Sequence, residues 1–145
     1  MNRRIVLDTN CLVSSLPCNG KYYRVWQDFF NDKYVLCYTN EILTEYEEIL
    51  TQKMGRMIAL NIVKAIVARP NTLKLDPHFQ FRLIEKDLDD NKFVDCAIVA
   101  NAQYIVTEDK HFKVLETIDF PKVDVIGLDA FLAWLKVISK METTD

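Results

Sequence analysis

Carboxylates placed at the ends of apolar runs are the residues of this chain best suited to chemistry. Ile5-Val6-Leu7 runs directly into Asp8, and Tyr104-Ile105-Val106-Thr107 is followed two residues later by Asp109. If both runs are central strands of a parallel sheet, the two Asp side chains reach one edge. Asp90 opens a helical pattern. At about 100° per residue, Phe93, Val94, Cys96, Ala97, Ile98 and Ala100 form one stripe, and Asp90 falls within it. Asp89 lies at its margin and Asp95 points to the opposite side. A carboxylate on a buried face needs compensation. A helix N-terminus supplies some through its N–H groups, and a cation supplies more. A further acid comes from Glu41, Glu45, Glu47 and Glu48. Glu45 and Glu47 lie nearest the stripe of Ile42, Tyr46, Ile49 and Leu50, and periodicity does not choose between them. Each acid also has a plain structural role open to it: a helix cap for an Asp, a solvated face for the Glu run.

Several carboxylates in one crevice repel one another unless they are protonated or metal-bound. Oxygen-rich sets suit hard cations such as Mg²⁺ or Mn²⁺. Such an ion activates water and offsets charge on a phosphate, so the chemistry that follows is metal-assisted phosphodiester hydrolysis. No Ser-His-Asp set competes, and three glycines, Gly20, Gly55 and Gly127, cannot build a phosphate-cradling loop. The cysteines Cys11, Cys18, Cys37 and Cys96 form no CxxC pair, and His78 and His111 lie far apart, which argues against structural zinc. Four reduced thiols in a cytoplasmic protein is the expectation.

These acids must be positioned by strands alternating with helices. Strands are expected at Ile5–Leu7, Tyr34–Tyr38, Leu73–Leu75, Tyr104–Thr107 and Val123–Ile126. Helices are expected over Gly20–Asn31, Glu41–Met54, Met57–Val67, Asp90–Ala102, Asp109–Glu116 and Asp129–Ser139. Asp76 to Asp90, with Pro77, His78 and many charges, reads as a long loop of the functional kind. Short continuous apolar strands fit a parallel sheet covered on both faces, a three-layer α/β/α domain.

Composition agrees with a single domain spanning residues 1–145. Half of the 145 residues are hydrophobic and 27% are charged, which excludes disordered and collagen-like chains. With 18 Lys and Arg against 21 Asp and Glu the net charge is −3, so the chain is no non-specific nucleic-acid coater. No apolar stretch approaches the ~18 residues of a membrane span, and the N-terminus does not read as a secretory signal.

Four segments together are similar to the motifs of PIN-domain ribonucleases. Ile5-Val6-Leu7-Asp8-Thr9-Asn10-Cys11-Leu12-Val13-Ser14 resembles the opening of that family. Glu45-Tyr46-Glu47-Glu48-Ile49-Leu50 resembles the second acidic motif, whose functional residue matches Glu45. Asp87-Leu88-Asp89-Asp90-Asn91-Lys92-Phe93 resembles the third, with the ligand at Asp90, and Tyr104 to Phe112 the fourth, with the ligand at Asp109. Any one motif is weak; order and spacing agree over roughly Arg3 to Leu135. The resemblance implies a five-stranded, mostly parallel sheet and a Mg²⁺- or Mn²⁺-dependent endoribonuclease. Asp8, Glu45, Asp90 and Asp109 would hold the metal. Thr107 would support them through its hydroxyl, and Asn10 through hydrogen bonds to Asp8 or a water. Similar small prokaryotic proteins are classed as toxins of toxin–antitoxin pairs, which implies an antitoxin partner or a homodimer or higher homo-oligomer. Two departures stand out: Glu108 where relatives often have Gly, a charge that could alter metal affinity if it points inward, and Thr39 where Ser is common.

An RNA substrate needs cations near the acidic edge. Lys92, Lys110, His111 and Lys113 are the candidates there, with Arg82 and Lys86 on the long loop. Lys92 points away from the buried face of its helix, toward phosphate rather than metal. The aromatics Tyr22, Tyr23, Trp26, Phe29 and Phe30 could stack bases, or serve the core or an interface. Two rival readings remain. One is a non-catalytic PIN-like module binding RNA or protein. The other is a phosphatase or receiver-type phosphotransfer protein. The phosphatase wants a second Asp where Asn10 stands, and the receiver wants a Lys where Gly127-Leu128 stand.

Overall fold

The computed structural model of the chain describes residues 1–85 and 88–143. Strand β1 (Arg4–Leu7) is buried from Ile5 onward because its side chains are apolar on both faces. It leads straight into α1 (Thr9–Ser14), a short helix absent from the sequence expectations. Six residues are too few for periodicity to register, and α1 owes its place to the burial of Cys11 and Leu12. Helix α2 (Tyr23–Phe30) and strand β2 (Val35–Tyr38) follow. Thr39 then caps α3 (Asn40–Met54), its hydroxyl accepting from Ile42 N at 3.2 Å. Gly55, at φ 87°, turns the chain sharply into α4 (Arg56–Ala68), and that positive φ suits glycine alone.

After β3 (Thr72–Lys74) residues 75–85 carry no regular structure, as the loop reading expects. A single 3-10 turn, Leu88–Asp90, enters α5 (Asn91–Ala100). Lys86 and Asp87 lie outside the described residues. The loop is fastened from α5. Asn91, fully engaged, accepts from Ile84 N at 2.9 Å and donates to Ile84 O at 2.7 Å. Asp95 accepts from Phe81 N at 3.1 Å. This corrects the expectation that Asp95 faces away from the buried side: it is covered by the loop, which periodicity cannot see. Strand β4 (Tyr104–Val106), a 3-10 helix (Lys110–Thr117), β5 (Val125–Ile126) and α6 (Leu128–Thr143) complete the chain.

The five strands form one parallel sheet in the order β3-β2-β1-β4-β5. Register puts Ile5, Leu7, Leu36, Tyr104 and Val106 on one face and Val6, Cys37 and Ile105 on the other. Trp134 of α6 meets Tyr104 edge-on at 5.9 Å on the first face. Helix α5 packs over β1, β2 and β4 on the second, where burial and the neighbouring Cys37 push the Cys96 thiol pKa up. This is the layered α/β architecture expected from the alternation of elements. The central pair, β1 and β4, runs to a common carboxyl edge, with Leu7 opposite Val106.

Candidate active site

Asp8 and Thr107 each follow directly on the paired ends of β1 and β4, so the sheet register sets them side by side. Thr107 Oγ1 donates to Asp8 Oδ2 at 2.6 Å and accepts from Asp109 N at 3.1 Å. One hydroxyl thus ties the first carboxylate to the backbone that carries the second. Asp8 stands at the N-cap position of α1 and makes no side-chain cap bond there. Its carboxylate is turned into the crevice, 7% exposed. Burial raises its pKa above the usual carboxylate value, and the charges of Glu45 and Asp109 push in the same direction against the lowering bonds from Thr107 and Thr9.

Glu45 reaches this edge from α3. Its carboxylate accepts from the Thr9 hydroxyl and pairs with Lys92 Nζ at 2.8 Å. Glu47, the alternative left open by periodicity, is exposed. Tyr46 explains the choice: its hydroxyl donates to Leu7 O at 2.5 Å, which pins this turn of α3 against β1 and aims Glu45 along the carboxyl edge. Lys92 also contacts Asp89 Oδ1 at 3.0 Å, and its side chain is only 9% exposed. The expectation that Lys92 points outward toward phosphate is therefore corrected. The first turn of α5 faces α3, and the long lysine stem carries its charge inward to Glu45. Desolvation works to lower the Lys92 pKa, but the bonds to Glu45 and Asp89 outweigh it and hold it up.

Asp90 occupies the N-cap position of α5, again without a side-chain cap bond. Its Oδ2 lies 3.6 Å from His111 Nδ1. Asp109 does act as a cap, accepting from His111 N at 2.9 Å, and its Oδ1 lies 3.5 Å from His111 Nδ1. Ligand atoms of Asp90, Asp109 and His111 fall within 4.8 Å of one another. His111 was expected to meet substrate, and the structure sets its ring against two carboxylates. Asn10 is exposed on α1, and among the described residues no side-chain hydrogen bond joins it to Asp8. Glu108 turns away from the crevice: its Oε1 accepts from Leu128 N at 2.9 Å, at the start of α6. Lys110, Lys113 and Arg82 are exposed, and Lys86 lies outside the described residues.

Sequence reasoning missed Thr9 as the partner of Glu45 and His111 as a neighbour of Asp90. Thr9 carried no signal beyond adjacency to Asp8. His111 carried one, its place two residues after a carboxylate at a helix start. A cleft of about 410 Å³ opens between α3, α5 and the long loop, with Asn40, Asp76, Phe79, Gln80, Arg82 and Asp89 in its lining; Lys92 also lines it, whereas Asp8, Glu45, Asp90 and Asp109 do not.

The carboxyl edge of a parallel sheet lined with acids defines the class of protein. The chain matches the PIN domain over residues 4–111. It belongs to the PIN-domain family. No curated protein matches it. Solved structures with the same fold include VapBC2 from Rickettsia felis bound to a DNA fragment from its promoter (TM-score 0.59, 15% identity, 86% of this chain and 98% of that one). Mycobacterium tuberculosis VapC20, a Sarcin-Ricin loop cleaving toxin, superposes with a TM-score of 0.54 at 15% identity, over 75% of this chain and 92% of its own. DNA-bound VapBC from Salmonella typhimurium gives a TM-score of 0.54 at 14% identity, over 86% and 98%. Among the described residues no helix is long and apolar enough to cross a membrane.

Proposed function

We propose that the protein is a Mg²⁺- or Mn²⁺-dependent endoribonuclease, acting as the toxin of a toxin–antitoxin pair or in RNA processing. The observation that carries this reading is the buried Asp8 carboxylate. It is held beside Asp109 by one hydroxyl, and burial, with a smaller repulsion from Glu45 and Asp109, disfavours its charged form. A cation relieves that repulsion, and hard oxygen donors suit Mg²⁺ or Mn²⁺. Asp8, Asp90 and Asp109 would hold the ion, with Glu45 at its margin. When bound, the ion lowers the pKa of water and offsets the charge that builds on the phosphate. Thr107 keeps Asp8 and Asp109 in register. Lys92 holds Glu45 in place and balances its charge. Lys110 and Arg82 offer exposed cations for the flanking backbone, and Phe79, 75% exposed, offers a stacking face in the cleft.

Membership of the PIN-domain family and the likeness to VapBC toxin–antitoxin proteins support the toxin reading, with an antitoxin as partner and a homodimer or higher homo-oligomer as the assembly. The test is a labelled mixed-sequence RNA incubated with Mg²⁺, Mn²⁺ or chelator, beside an Asp8→Asn variant. Cleavage that needs metal and is lost in the variant is the expected result. Equal cleavage by the variant overturns the site. No cleavage by either protein, with metal binding intact, favours the non-catalytic binding module.

A further inference from the structure

His111 stands where a substrate-binding cation would be poorly placed. Its Nδ1 lies 3.5 Å from Asp109 Oδ1 and 3.6 Å from Asp90 Oδ2, so the ring is aimed at two carboxylates. A phosphate approaching that nitrogen would meet both negative charges. The distances are also long for hydrogen bonds, which lie near 2.7–3.2 Å. They are closer to the spacing of atoms that share one ion, since ligands about 2.0–2.2 Å from a metal sit roughly 3–3.5 Å apart.

The backbone sets up this arrangement. Asp109 caps the 3-10 helix by accepting from His111 N at 2.9 Å. That bond fixes the two residues as neighbours, and it spends only one lone pair of Asp109 Oδ1. The ring is 42% exposed and lies at the rim, while the Asp90 side chain beneath it is 14% exposed. The group therefore has two half-buried carboxylates and an exposed imidazole, contributed by the start of α5 and the segment after β4.

We propose that His111 is a direct nitrogen ligand of the metal, completing a set with Asp90 and Asp109, and that the site thereby prefers Mn²⁺ to Mg²⁺. The proposal rests on the metal-dependent reading above and extends it to the identity of the ion. Carboxylates alone do little to separate these two ions. Mn²⁺ shares the taste of Mg²⁺ for oxygen, but Mg²⁺ dehydrates reluctantly and keeps oxygen and water around it, whereas Mn²⁺, as a transition ion, accepts an imidazole nitrogen more readily.

The test is pulsed EPR of Mn²⁺ bound to the full chain, with a Mn²⁺ titration and Mg²⁺ competition for affinity. It uses wild type, His111→Gln, His78→Gln and Asp90→Asn. The wild type is expected to show ¹⁴N modulation from a coordinated imidazole. His78→Gln should keep it and His111→Gln should lose it. His111→Gln should bind Mn²⁺ at least tenfold more weakly, since even partners outside the ligand set are worth about 10–100-fold, with Mg²⁺ affinity within threefold of wild type. Far-UV circular dichroism and melting of His111→Gln check that this rim residue leaves the fold intact. Mn²⁺ bound without ¹⁴N modulation, or modulation that survives His111→Gln, overturns the imidazole ligand and leaves the carboxylate site standing. Absence of Mn²⁺ binding to wild type, or binding indifferent to Asp90→Asn, overturns the metal reading itself.

Discussion

Asp8 lies behind the Thr107 hydroxyl, with Glu45 and Asp109 near enough to raise its pKa further. Ionising it at neutral pH therefore costs folding energy. Because the folded pKa is raised above 3.8, the group's stabilising contribution is complete below that value and is lost as pH rises through the folded one. Asp8→Asn keeps an acceptor for Thr107 and removes the charge. In chelator at pH 7 the variant is expected to be more stable than wild type. The gap should close as pH falls toward 3.8. Urea unfolding at several pH values reads this directly, and a less stable variant at pH 7 would show that Asp8 serves the fold rather than a ligand.

Helix starts account for much of how the site is placed, and they are not all used alike. Asp8 and Asp90 occupy N-cap positions without capping, while Asp109 caps with its side chain. Helix α6 takes its cap from a distance, through Glu108 on Leu128 N, with Gly127 leaving room where a Cβ would come within 3.2 Å of Glu108 Oε2. Glu108→Ala is expected to cost about 0.5–1 kcal/mol by removing a negative charge from a helix N-terminus. Mn²⁺ affinity should stay within twofold of wild type. A large change in affinity with little change in melting would instead place Glu108 in the metal site.

Across the whole molecule, a chain of rings fastens α2, through Phe29 at 6.0 Å from Tyr34, and α6 to the sheet. Phe131 lies 5.2 Å from Tyr34 and 5.6 Å from Trp134, which in turn meets Tyr104 at 5.9 Å. Phe131 is completely buried. Phe131→Ala should lose about 3–5 kcal/mol, a large share of the ~5–15 kcal/mol that stabilises a domain. The measurement is the denaturant midpoint of variant against wild type at constant m. A loss under 1 kcal/mol would mean that α6 docks without this ring. The acidic edge lies at the far end of the same strands, so the core and the site can be perturbed separately.

The alternation of strands and helices is legible in the residues, and short continuous apolar runs such as Ile5–Leu7, bounded by polar residues, fit strands of a parallel sheet covered on both faces. The residues also single out Asp8 and Asp109, whose distance from a strand end is a local property. The choice between Glu45 and Glu47 came from packing. That choice follows from the Tyr46 hydroxyl bond to Leu7 O, a contact between residues 39 positions apart. The same reason underlies the two misjudged side chains of α5. Helical rotation gives the angle of Lys92 and Asp95 about their own axis. It does not reveal that α3 stands beside one and the loop at Phe81 lies over the other. Periodicity describes an element alone, whereas burial and ion pairing depend on what packs against it.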